Sequence, residues 1–227
     1  ASGRSSEPRL EFTSELLQLA VHDLCTEEDL RSGHAVMARW LIETSAAGGA
    51  AVARHLVLAG DRQEALPHFV AAGRAALAGD QPELFDALLR EADGCIGGAH
   101  TAELFAGELT EVRVQGAFWR GQIDQALNAA LVGLEGLTPA SEAWCRVTSL
   151  AITAAGQLGE NTRVQELARG LVALTDAGGA ARDARITGLC RAYTQLEGIG
   201  GPLTGAIWSA LDGAEAGAID PEARAWV

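Results

Sequence analysis

The chain has 227 residues, 48% of them hydrophobic, which is ample for a continuous core and too apolar for a disordered polypeptide. It carries a formal charge of −13, with 9 Arg against 18 acids in the first 114 residues and 8 against 12 in the remaining 113, so phosphate-rich partners such as nucleic acid and anionic membrane are disfavoured. Every one of the 17 basic residues is Arg, which excludes a phosphate-loop lysine, a kinase ATP-pairing lysine and a Schiff base within this chain.

Aromatic residues make up 5% of the chain and alternating β-branched runs are sparse, so the expected class is all-α. Residues 1–8 read as a flexible leader or expression remnant. Residues 9–45 read as linking helices: Leu10 to Leu24 has helical apolar spacing, and Thr26-Glu27-Glu28-Asp29 is a cap with acids in the first turn of a helix that runs to about Thr44. Residues 46–227 then alternate amphipathic segments with punctuation at Gly60-Asp61, Gly79 to Glu83, Gly97-Gly98, Gly121, Thr138-Pro139, Gly159 to Asn161, Gly178-Gly179, Gly198 to Pro202 and Asp220-Pro221. Asp80 is expected to cap the helix after Pro82, Pro139 to open the next-but-two, and Gln63 to Asp93 to supply two consecutive helices. The cadence predicts about eleven or twelve helices joined by short turns. The last start, at Asp220-Pro221, leaves a helix too short to stand alone, so the native polypeptide is expected to continue.

Small residues recur at fixed offsets from the turn glycines. Five, nine and twelve residues after Gly60 stand Ala65, Phe69 and Ala72; after Gly121, Ala126, Ala130 and Gly133; after Gly159, Val164, Ala168 and Leu171; after Gly201, Ala206, Ala210 and Gly213. Small side chains there let the second helix of a pair lie close against its neighbours. In this the chain resembles the tetratricopeptide repeat family, although its anchor glycines are 61, 38 and 42 residues apart and the family's first-helix Trp, Leu and Gly positions are mostly unmatched. The resemblance implies a tetratricopeptide-like right-handed solenoid of antiparallel helix pairs. It also implies a concave ligand groove lined by first-helix positions, which fall on Arg54; Glu108, Glu111, Gln115 and Phe118; Arg146, Ser149 and Thr153; and Arg191 and Gln195. Arg146 and Arg191 are candidates for clamping carboxylates bidentately.

A second set of motifs is ordered along residues 9 to 175. Leu10 to Leu16, Ala20-Val21-His22-Asp23-Leu24, Thr26 to Arg31 and His34 to Leu41 are followed by Ala53-Arg54-His55-Leu56, Ala59-Gly60 and Ala71-Ala72, then Trp119-Arg120-Gly121, Ala143-Trp144-Cys145 and Ala155 to Gly159. This order is similar to the segment that ends the ATPase region and opens the helical repeats of large bacterial signal-transduction ATPases, often fused to a Ser/Thr protein kinase domain. Basic residues usual near Phe12 are replaced here by Thr13 and Ser14. The resemblance implies a non-catalytic interaction and regulatory module, with any ATP sites upstream and a protein or peptide, or another domain of the parent, as partner. The same helical region in a transcription activator would instead precede a DNA-binding domain. An enzyme would show a closed polar pocket with two titratable groups within hydrogen-bond reach.

Sites of other kinds are expected to be absent. His22, His34, His55, His68 and His100 form no HxxxH, HxxH or His/Cys pair and read as packing residues, so no metal ligand and no cofactor is assigned. The loop Gly198-Ile199-Gly200-Gly201 follows a helical pattern and reads as a turn, no GxSxG elbow occurs, and Glu108 with Glu111 reads as a solvated helix face, so no catalytic residue is assigned. Cys25, Cys95, Cys145 and Cys190, spaced 70, 50 and 45 residues apart, read as reduced buried residues of a cytoplasmic protein. Trp40, Trp119, Trp144 and Trp208 read as core, and Trp226 as a residue whose cover has been removed. No apolar stretch reaches the roughly 20 residues of a membrane span.

Overall fold

The computed structural model describes residues 14–44, 48–96, 99–174 and 178–212. Among them the backbone forms eleven α-helices and no strand. In chain order these are α1 (Glu15–Leu24), α2 (Glu27–Thr44), α3 (Gly49–Ala59), α4 (Arg62–Ala78), α5 (Pro82–Asp93), α6 (Ala99–Trp119), α7 (Ile123–Glu135), α8 (Glu142–Gln157), α9 (Asn161–Val172), α10 (Gly179–Leu196) and α11 (Pro202–Asp212). The final start at Asp220-Pro221, Trp226 and Gly213 lie outside the described residues.

Local chemistry accounts for most boundaries. Thr26 and Asp29 form a reciprocal cap at the start of α2: the Thr26 amide donates to Asp29 Oδ2 at 3.0 Å and the Asp29 amide to Thr26 Oγ1 at 3.1 Å. Two expected starts are corrected. Asp80 does not cap α5; it takes φ 56° in the turn after α4, and Gln81 is the N-cap ahead of Pro82. Pro139 does not open α8 either, because the chain turns once more through Ala140 at φ 67° and Ser141 caps the helix, its Oγ accepting from the Trp144 amide at 3.1 Å. The four anchor glycines, Gly60, Gly121, Gly159 and Gly201, all have positive φ, at 98°, 69°, 73° and 118°. A Cβ would be strained in that backbone, so glycine is required where one helix folds back on the next.

Each helix from α2 to α5 packs on its successor, as do α6 to α11, and α6 joins the two sets by packing mainly on α4. Alternate helices also meet: α4 with α6, α6 with α8, α8 with α10, and α9 with α11. The buried side chains fall into two clusters, one from Ala38 to Val112 and one from Val114 to Leu211. Helix α6 belongs to both, sending Leu109 and Val112 to the first and Val114 and Ala117 to the second. At the predicted offsets, Ala65, Phe69, Ala126, Ala130, Val164, Ala168 and Leu171 are buried, whereas Ala72, Ala206 and Ala210 are half-buried.

The tryptophans do not form the core. Trp40, Trp119 and Trp208 are exposed and Trp144 is half-buried, its ring edge against Gly170. Of the cysteines, Cys95, Cys145 and Cys190 are buried, while Cys25 at the end of α1 is exposed. Burial raises the thiol pKa of all three, that of Cys145 to about 11, so they stay protonated and unreactive at neutral pH. No helix among the described residues is long and apolar enough to cross a membrane.

Candidate functional site

Three long helices, α6, α8 and α10, lie side by side, and their inward-facing polar residues line one groove of about 330 Å³. Helix α6 supplies Glu111 and Gln115, α8 supplies Glu142, Arg146 and Ser149, and α10 supplies Asp183, Thr187 and Arg191. Within each helix these residues recur every three or four positions, the spacing that keeps side chains on one face. The same helices send Val112, Val147, Ile152, Ile186 and Leu189 into the core from positions flanking these rows, and burying them fixes where the polar rows point.

Electrostatics across the groove centre on Glu111, whose side chain is 8% exposed. Its Oε2 lies 3.5 Å from Arg74 on α4 and 3.5 Å from Arg146 on α8. Even so, burial raises its pKa, and Glu108 one turn earlier adds to the rise, while the two guanidiniums pull it back only in part. Removing a carboxylate from water costs more than two guanidiniums at that distance return. Arg146 is braced at 2.6 Å by Glu142, and Arg191 donates from Nη1 to Ser149 Oγ at 3.1 Å, tying α10 to α8. The groove is therefore a lattice of charges already matched to one another, with both signs facing the solvent side.

Of the ten residues expected to line a groove, five do so together: Glu111, Gln115, Arg146, Ser149 and Arg191. The other five are placed around it or away from it. Glu108 is exposed beside Glu111 on α6. Thr153 donates to the Ser149 carbonyl at 3.1 Å, one turn further along α8. Gln195 packs on α8 at Gly156, where a Cβ would overlap its amide. Phe118 packs against the second core cluster. Arg54 is in a separate place, on α3, where its Nε and Nη2 donate to Glu91 of α5 at 2.9 and 2.8 Å beside a more apolar hollow of about 380 Å³.

Sequence reasoning missed Glu142, Asp183, Thr187 and Arg74. Two signals were available, since Glu142 precedes Arg146 by four residues and Asp183, Thr187 and Arg191 follow one another at intervals of four on α10. Arg74 carries no such signal, because only the α4–α6 contact brings it to Glu111. His34 and His55 share no motif in the sequence, yet their Nδ1 atoms meet at 2.9 Å between α2 and α3. Burial, with His34 alongside, lowers the pKa of His55. The Gly198 to Gly201 loop is a turn, its Gly200 amide donating to the Leu196 carbonyl at 3.1 Å. Among the described residues no group of three or more His, Cys, Asp or Glu side chains converges.

Searches against protein-family models, curated proteins and solved structures found no match to this chain.

Proposed function

We propose that this chain is a non-catalytic protein–protein interaction module, a tetratricopeptide-like right-handed solenoid whose groove across α6, α8 and α10 holds a segment of another protein. The carrying observation is that residues from three helices, Glu111, Gln115, Arg146, Ser149 and Arg191, converge on one open polar concavity. The left-handed turn glycines, the buried Ala65, Ala126, Ala130 and Ala168 five or nine positions after them and the packing of alternate helices support the solenoid reading. The order of motifs from residue 9 to 175 supports a parent that is a bacterial Ser/Thr kinase and signal-transduction ATPase, whose own domains are then the first partners to test.

A titration of this chain with the isolated kinase and ATPase domains tests the reading. Binding tighter than about 10 μM, weakened at least about tenfold by Gln115→Trp, is the expected result. Gln115 is exposed in the groove, so a large ring there blocks the concavity without touching the core. Binding that Gln115→Trp and Arg146→Glu leave unchanged, or no binding at all, overturns it. Glu111 favours a second reading, because a buried carboxyl with a raised pKa is what a general acid needs. A hydrolysis screen in which Glu111→Gln and the native chain give the same background removes that second reading.

A further inference from the structure

The pair His34 and His55 lies outside the groove and plays no part in it. His34 comes from the second turn of α2 and His55 from the middle of α3, and both rings are half-buried. Their centroids are 5.1 Å apart, the planes tilted by 41°, and the two Nδ1 atoms face each other at 2.9 Å. A nitrogen ligand binds Zn²⁺, Cu²⁺ or Ni²⁺ at about 2.0–2.1 Å. Two such ligands at a right angle lie about 2.9 Å apart, and two at a tetrahedral angle about 3.3 Å.

We propose that His34 and His55 form a two-imidazole site for a divalent transition-metal ion, bridging α2 and α3. The separation fits the right-angled coordination of Cu²⁺ or Ni²⁺ better than the tetrahedral preference of Zn²⁺. Among the described residues no third His, Cys, Asp or Glu joins the pair, so water fills the remaining positions and the ion stays exchangeable. The joint has room to gain from such a bridge. Helix α2 packs chiefly on α3, with only Ala38 and Leu41 of its eighteen residues buried. The same 2.9 Å also suits a neutral hydrogen bond in which one Nδ1–H donates to the other ring, and the two arrangements differ in what they predict.

The test is calorimetric titration of the untagged chain with Cu²⁺, Ni²⁺ and Zn²⁺, with electron paramagnetic resonance of the Cu²⁺ form. One equivalent of Cu²⁺ should bind at micromolar affinity with nitrogen hyperfine coupling from two imidazoles. His34→Gln and His55→Gln should each weaken it at least about tenfold, whereas His22→Gln and His68→Gln leave it unchanged. Circular dichroism confirms that each variant keeps its helices. If the native chain shows no stoichiometric Cu²⁺ binding, or a spectrum with fewer than two imidazoles, or if either His34→Gln or His55→Gln binds as tightly as the native chain, the pair is a hydrogen bond and nothing more. The spectrum of the native protein decides the matter even where a variant fails to fold.

Discussion

The two core clusters meet on α6 and solve the same packing problem differently. In the first, from Ala38 to Val112, the rings of Phe69 and Phe85 are buried together with Leu66 and Leu88. In the second, from Val114 to Leu211, the buried residues are Ala126, Ala130, Ala151, Ala154, Ala155, Ala168 and Ala192, with Ile152, Leu171, Ile186 and Leu189 between them and no ring among the fully buried side chains. A ring fills a gap between helices that stand apart, whereas alanine lets helices close until their backbones nearly touch. The groove lies on the alanine side. There α8 packs on both α6 and α10, which sets the polar rows of the three helices around one concavity, whereas Arg54 and Glu91 pair beside a separate hollow between α3 and α5.

Breaking either cluster should show this contrast. The largest effect is expected from Phe85→Ala, which leaves a cavity at the point where α4, α5 and α6 meet and should cost about 3–5 kcal/mol in chemical denaturation. Next come two glycine substitutions in the second cluster that ought to part company. A Cβ at Gly133 would overlap buried, β-branched Thr110, so Gly133→Ala should lose about 1–3 kcal/mol to overpacking, offset by up to about 1 kcal/mol of helix propensity. At Gly156 the obstacle is the Gln195 side chain from Cγ outward, which must take another rotamer; Gly156→Ala should lose less than Gly133→Ala, because a flexible chain gives way more readily than buried, β-branched Thr110. Equal losses at the two sites would mean that close approach is not what sets the second cluster.

Thiol labelling follows the two clusters separately. In the native protein Cys25 alone should react rapidly, with Cys95 reporting opening of the first cluster and Cys145 and Cys190 opening of the second. If Cys95 is exposed at lower denaturant than the other two, the clusters unfold in sequence, and coincident labelling would show that α6 couples them into one unit.

A smaller effect is expected from Glu111. Its pKa is raised in the folded state, so the folded protein holds the proton at pH values where the unfolded chain has released it. The stability this contributes is complete below the ordinary carboxyl value and is lost as pH rises through the raised one. Glu111→Gln should therefore abolish that decline, seen as the difference between native and variant stabilities measured across the mildly acidic range. A difference that grows in the opposite direction would mean that Arg74 and Arg146 outweigh burial. The smallest effect is expected at Arg54, whose pairing with Glu91 is half-exposed; Arg54→Ala should cost only about 0.2–1 kcal/mol and less at high salt.

Much of the helical order was legible because its signals are local. Thr26 and Asp29 are three residues apart, and each turn glycine is surrounded by the helices it separates. Half of the groove was legible for the same reason, since residues three and four apart on a helix share a face whatever surrounds them. The tryptophans were not, because whether an indole is buried depends on how helices distant in sequence pack around it.

The amino-acid sequence by itself determined the helical class, the positions of the left-handed turns and the polar rows on α6, α8 and α10, all of which follow from interactions within a few residues. Only the tertiary structure decided that Arg74 reaches Glu111, that Arg191 meets Ser149 and that His34 faces His55. Those contacts join residues 37, 42 and 21 positions apart, and no local rule specifies them, because they depend on the spacing and rotation that packing imposes on each pair of helices.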